Sequence, residues 1–173
     1  KEYRRQRQMC IRDSLCIDNF SYPKPTNQNS TFADVKEENV VETKYYLSTQ
    51  YLQTLVNHKA RHENKGNGFG YEIIKDNQTA NAVVCGGMGR ERNLVLDHRI
   101  TDFTPTTKIK GEVNREGIRK MTPREWARLQ GFPDNYIIPV ADASAYKQFG
   151  NSVAVPAIQA TANEIIKLML KTK

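Results

Sequence analysis

The chain has 173 residues, 38% of them hydrophobic, and a formal net charge of +7, which suits a single globular domain with its own apolar core. No run approaches the ~20 apolar residues of a membrane helix, and the polar, basic opening Lys1–Gln8 does not look like a secretion signal, so a cytoplasmic protein without a membrane partner is expected. Cys10, Cys16 and Cys85 are odd in number and lack the close paired spacing of a zinc site or a redox dithiol, so reduced thiols and no metal are expected.

The charge is concentrated. Lys1–Arg12 carries five basic residues and one acidic, and Lys108–Arg128 carries seven and three. Localised positive charge fits a polyanionic partner and, on charge alone, a solvated basic face equally well.

In chain order, Met9–Phe20 alternates weakly and predicts a strand, and Tyr22-Pro23-Lys24-Pro25 with the polar run Thr26–Ser30 predicts a linker. Ser48 is a candidate cap for a helix over about Thr49–Lys65, with Tyr51, Leu52, Leu55 and Val56 as its apolar stripe and Gly66 as a left-handed stop. Gly66, Gly68 and Gly70 then allow the chain a tight path. Tyr71–Ile74 predicts a strand, Lys75-Asp76-Asn77 a turn and Ala80–Cys85 another strand; Gly86–Arg92 interrupts the apolar run before Asn93–Leu96 resumes it. This pattern predicts a hairpin with a glycine-rich, arginine-bearing tip.

Thr122-Pro123-Arg124-Glu125 has the form of a capping box with proline at the first helical position. A short helix to Gln130 should follow, ended by Gly131, with Arg124 and Arg128 sharing one face that can point at phosphates. Ile158, Ala162, Ile165 and Met169 recur at helical spacing behind Pro156, so an amphipathic helix should close the chain. His58 and His62, four apart, lack a third metal ligand and read as polar helix-face residues.

Two segments carry a resemblance. Arg119–Asp134 (RKMTPREWARLQGFPD) resembles motif IX of DNA cytosine-5 methyltransferases, and Tyr146–Pro156 (YKQFGNSVAVP) resembles their motif X, in the family's order and spacing. Upstream, Ile11–Ser14 to Tyr22–Pro25 is similar to the stretch after motif VIII. The resemblance implies an α/β fold: a small target-recognition domain of twisted strands with few helices, plus a C-terminal helix belonging to the S-adenosylmethionine-dependent methyltransferase domain. It divides the chain into the end of the catalytic domain and a linker at 1–25, the target recognition region at 26–118, motif IX at 119–134, and motif X with the returning helix at 135–173.

In this family a cysteine thiolate attacks a cytosine flipped from the duplex, a glutamate supports the ring, and S-adenosylmethionine donates the methyl group. No cysteine here follows a proline, so no catalytic residue is expected in this chain, and Glu38-Asn39-Val40, which spells motif VI, lies out of order and reads as coincidence. A C-terminal fragment is therefore expected, inactive without an N-terminal catalytic half in the same chain or a partner subunit. A separate recognition subunit and a noncatalytic DNA-binding module are the other readings.

The resemblance implies that Gly150, Asn151 and Ser152 border the S-adenosylmethionine pocket, as a small turn before a helix whose amides suit an anionic carboxylate. Contacts to double-stranded DNA are expected from Gly86, Gly87, Arg90 and Arg92 at the tip, from Lys65, and from Arg124 and Arg128. Arginine at the tip suits both guanine readout and phosphate clamping, and motif IX residues are expected to be scaffold first and phosphate partners second. Where many relatives carry a Thr-Leu pair, Ala82-Val83 stands here.

Overall fold

The computed structural model describes residues 20–24, 30–86 and 89–171. Residues 9–19 of the strand expected over Met9–Phe20, the linker residues 25–29, Cys10, Cys16 and the tip residue Gly87 lie outside them. Two compact units emerge, residues 28–153 and residues 1–27 with 154–173.

The larger unit is built on three short strands, β1 (Ile73–Ile74), β2 (Leu94–Leu96) and β3 (Ile118–Lys120), in the order β1-β2-β3. β1 runs parallel to β2 and β3 antiparallel to it, with Val95 opposite Ile74 and Arg119. Strand side chains alternate between faces, and here the alternation sorts the core. Ile73, Leu94 and Ile118 pack with Leu47, Leu52 and Leu55, the latter two from helix α1 (Thr49–Glu63). Ile74 and Val95 pack on the other side with Trp126 of α2 (Pro123–Leu129) and Tyr146 and Phe149 of α3 (Asp142–Asn151). A third cluster joins Val41, Tyr46, Ile100, Ile109 and Val113. The unit is α/β, with helices on both faces of a small sheet.

The sequence places α1 well. Ser48 Oγ accepts from the Tyr51 amide at 3.1 Å, and Gly66 at φ +72° turns the chain after the helix, with its amide on the Glu63 carbonyl at 2.9 Å. Leu52 and Leu55 are buried, whereas Tyr51 and Val56 lie at the edge of the stripe and stay partly exposed. The capping box of α2 forms as expected: the Glu125 amide donates to Thr122 Oγ1 at 3.1 Å and the Thr122 amide to Glu125 Oε2 at 2.8 Å.

Two expectations are corrected. Ala80–Cys85 is not a strand, and no hairpin joins it to β2. The backbone at Asn81 bonds instead to a side chain: its amide donates to Asn93 Oδ1 at 2.8 Å and its carbonyl accepts from Asn93 Nδ2 at 3.0 Å. The asparagine satisfies both groups that a ladder would have used, and the apolar pattern of Ala80 and Val83 reflects packing against Trp126 and its neighbours. The second correction is α3, a helix the sequence pattern does not announce. Ala145, Tyr146 and Phe149 form its buried face.

Arg119 is fully buried, because alternation turns it to the same face as Val95. Its guanidinium donates to both oxygens of Glu125, at 2.7 and 2.8 Å, and through Nε to Asp97 at 2.9 Å. Asp97 also accepts from Arg99 Nε and Nη2, at 2.8 and 2.7 Å, and Arg99 Nη1 reaches the Glu37 and Glu38 carbonyls. The Glu37 amide donates to Glu125, and Thr122 Oγ1 donates to the Glu37 carboxylate. One charged chain thus ties strand, helix cap and the 37–38 loop together.

In the smaller unit, α4 (Val155–Lys171) closes the chain as expected. By length and composition alone the stretch Asp142–Leu170 could cross a membrane, although polar and charged residues interrupt it and it contains no run of about 20 apolar residues. It is two helices, α3 and α4, separated at 152–154, and Gln159, Asn163, Glu164 and Lys167 give α4 a polar side.

Burial alone would raise the Asp97 carboxyl, yet Arg99 and Arg119 outweigh it and hold the group well below the usual carboxylate range. A depressed folded value contributes stability above the unfolded value near 4 and loses it as pH falls towards the folded one. Arg119→Met strands the buried Glu125 carboxylate, leaves Asp97 with Arg99 alone, and should cost about 3–5 kcal/mol at pH 7. Urea unfolding should show the gap to the parent narrowing below about pH 4; a gap independent of pH would contradict the assigned network.

Candidate DNA interface and cofactor-bordering turn

The tip grows out of the sheet through a tight base. Gly86 adopts φ +91°, and at Gly89 any Cβ would run into the Val84 carbonyl oxygen. Beyond it the 3-10 turn Glu91–Asn93 leads into β2. Within this turn Glu91 is buried, accepting from Tyr51 Oη at 3.0 Å and pairing with Lys120 Nζ at 3.4 Å. Its neighbours Arg90 and Arg92 are turned outward and exposed. Sequence reasoning singles out the two arginines and misses the buried glutamate between them; a carboxylate between two arginines is the available signal.

Arg90 lies with its guanidinium 5.5 Å from the centre of the Tyr146 ring. Arginine stacks on aromatic faces while keeping its donors free at the edge. Tyr146 is itself fixed: its hydroxyl donates to the Met121 carbonyl at 2.5 Å and its ring meets Trp126 edge-on at 4.9 Å. Val84, Cys85, Gly86, Arg90, Trp126, Ala143, Tyr146 and Lys147 surround a cavity of about 310 Å³ beneath the tip.

The Gly150-Asn151-Ser152 segment meets the same base. A Cβ on Gly150 would lie 2.8 Å from the Cys85 amide nitrogen, so only glycine lets α3 approach the tip this closely. The segment ends α3 and leads through 152–154 into the next helix at Val155, so the turn expected before a helix is also the exit from one. The Ser152 amide and hydroxyl both donate to the Phe149 carbonyl, at 3.2 and 2.8 Å, and Gln130 Nε2 donates to it as well, at 3.0 Å. A helix C-terminus offers carbonyls and negative potential, and here the Phe149 carbonyl is already taken by these donors. Asn151 is exposed and makes no side-chain hydrogen bond among the described residues.

Arg124 and Arg128 do not point together at solvent. Arg128 donates to Asp134 through Nε at 2.7 Å and to the Val35 and Lys36 carbonyls through Nη1. Arg124 Nη2 donates to the Tyr136 carbonyl at 2.8 Å. Both side chains hold α2 against neighbouring loops.

Lys65 is exposed just beyond the end of α1. Tyr51, beside Glu91, lies in the first turn of that helix, so at 1.5 Å per residue Lys65 sits roughly 20 Å from the tip's base. It leads into Gly66–Gly70, where Phe69 is 67% exposed and a Cβ at Gly66 or Gly68 would meet nothing. Sequence reasoning notes the glycines and passes over the phenylalanine they present.

His58 and His62 stack at 4.4 Å between ring centres, and among the described residues no group of three or more potential ligands could hold a metal. Burial and neighbouring positive charges lower the His62 pKa. Cys85 is a free, half-buried thiol. Glu38 is exposed, with only its carbonyl engaged by Arg99.

Comparison with known proteins adds independent weight. The chain is 76% identical over 154 residues to the type II methyltransferase M.HpaII of Haemophilus parainfluenzae, covering 89% of this chain and 43% of that protein. It is 36% identical over 164 residues to M1.ScrFI of Lactococcus lactis subsp. cremoris, covering 93% and 38%. The chain thus spans less than half the length of these curated relatives. In fold it is similar to the Entamoeba histolytica methyltransferase EhMeth (TM-score 0.55, 15% identity, 90% of this chain and 45% of that one). It is likewise similar to S. pombe Dnmt2 methyltransferase (TM-score 0.51, 17% identity, 86% and 44%). The family described as C-5 cytosine-specific DNA methylase matches residues 4–167, and the chain belongs to that family.

Proposed function

We propose that this chain is the C-terminal, target-recognising part of a bacterial type II DNA cytosine-5 methyltransferase, acting on double-stranded DNA in the cytoplasm together with an N-terminal catalytic half. Residues 26–118 form the recognition region, 119–134 brace it, and 135–173 return to the catalytic domain. The observation that carries the proposal is the seating of the arginine-bearing tip on the motif X helix. Cys85 packs on Gly150 and Arg90 stacks on Tyr146, so the group that meets the bases and the segment that borders the methyl donor share one base.

S-adenosylmethionine, bound with the help of the catalytic half, supplies the methyl group. The residues present fit one edge of its site: Asn151 offers an exposed amide, and the end of α3 offers carbonyls to donors. The chain's own work is to grip the duplex while a cytosine is out of the stack, a step that needs contacts beyond the reacting base. Arg90 and Arg92 supply the forked donors that match guanine, Gly86 lets the backbone come close, and Lys65 with Phe69 extends the interface along α1. The relatives' designation as type II methyltransferases supports a place in a restriction-modification system.

The decisive test supplies the missing half and maps methylated cytosines on genomic DNA by bisulfite sequencing; absence of new methylation would overturn the proposal. In that reassembled enzyme, Arg90→Ala should lower the ratio of cognate to random duplex affinity by about 10-fold or more, as expected for ~1–3 kcal/mol of discrimination, with equal losses on both duplexes the contrary result. Asn151→Ala should raise the dissociation constant for S-adenosylmethionine several-fold while leaving DNA affinity alone; an unchanged constant would remove Asn151 from the site.

A further inference from the structure

A second cleft, of about 340 Å³, opens between Lys44–Ser48, Tyr51, Thr107–Lys110 and Lys120. Four lysines line it. Two are already paired, Lys44 with Glu42 at 2.9 Å and Asp142 at 3.3 Å, and Lys120 with Glu91 at 3.4 Å. Lys108 and Lys110 are exposed, and among the described residues neither takes part in an ion pair.

The loop that carries them is anchored. Ile109, between the two lysines, is buried against Val41, Tyr46 and Val113, and its amide donates to the Thr106 carbonyl at 2.9 Å. Gly111, at φ +88°, turns the chain away immediately afterwards. Two unneutralised ammonium groups are therefore held at the mouth of a cleft that also contains Ser48, the cap at the positive end of α1.

The cleft is continuous with the recognition tip, because Tyr51 and Lys120 line it while both hold Glu91, the residue between Arg90 and Arg92. We propose that this cleft seats the phosphodiester backbone of the bound duplex, with Lys108 and Lys110 neutralising phosphates beside the bases that the tip reads. The inference rests on the DNA-recognition reading above and adds the backbone seat to it. Lysine is a compact point charge without arginine's fork, so this seat contributes affinity and salt dependence, while sequence discrimination stays with the tip.

The test measures binding of labelled cognate and random duplexes to the chain between about 50 and 200 mM salt, for the parent, for Lys108→Ala/Lys110→Ala, and for a charge-matched control, Lys24→Ala/Lys75→Ala. The cleft variant should lower the slope of log affinity against log salt by about 0.9 for each phosphate that is no longer neutralised. It should weaken both duplexes equally, and the control should keep the parent's slope. An unchanged slope in the cleft variant, or weakening confined to the cognate duplex, would overturn the seat while leaving the recognition reading intact. Inorganic phosphate at matched ionic strength should displace the duplex no better than chloride; preferential displacement that disappears in the cleft variant would make the cleft a small-anion site instead. Failure of the parent chain to bind any duplex would sink the DNA reading itself, and the seat with it.

Discussion

The larger unit depends on a buried arginine that has to be neutralised. Arg119 faces inward because a strand leaves its side chain no other direction between Ile118 and Lys120, and an unpaired charge there would cost several kcal/mol. Glu125 answers it with a bidentate pair and Asp97 with a third bond. Each of those carboxylates has a second task, Glu125 closing the α2 capping box and Asp97 holding Arg99. The strand, the helix start and the loop at 37–38 consequently cannot move independently, although the sheet has only eight strand residues. Charged geometry defines the arrangement where the apolar clusters alone are small.

That rigidity matters for the tip. The base of Gly86–Arg92 rests on α3 through Gly150, α3 rests on α2 through Trp126 and Tyr146, and α2 begins at the Arg119–Glu125 pair. Base reading as proposed for the tip requires its side chains to be held within a fraction of an ångström, and a loop achieves this only when its root is built into a packed element. Glycine at 89 and 150 permits the close approaches at this base, and the Asn81–Asn93 exchange fixes the incoming segment without a ladder.

Local rules make α1, the α2 capping box and the closing helix legible, because Ser48, Thr122 with Glu125, and the spacing from Ile158 to Met169 act within a few residues of themselves. The hairpin is illegible for a tertiary reason: Asn93 takes both backbone bonds of Asn81, and nothing in an apolar run announces that an asparagine twelve residues on will replace its ladder. The helix α3 has no local start signal, because its N-cap is Ala141 without a side-chain cap, and Gly150 near its end is required because Cys85 occupies the space a side chain would need. That helix also adds carbonyls to the motif X segment, since a chain leaving a helix presents carbonyls where a chain entering one presents amides.

Basic residues are similarly misleading when counted rather than placed. In the stretch from Lys108 to Arg128, Arg119 is interior, Lys120 is bound to Glu91, and Arg124 and Arg128 are engaged with nearby carbonyls and Asp134. Arg115 lies over the Phe103 ring at 4.1 Å. Of the seven positive charges that make this segment look like one DNA-facing surface, Lys108 and Lys110 alone are exposed without an ion pair or ring partner among the described residues. The arginines are recruited for their fork, which suits carbonyls and carboxylates inside a fold. The lysines, strongly hydrated and costly to bury, stay outside, where a phosphate can meet them.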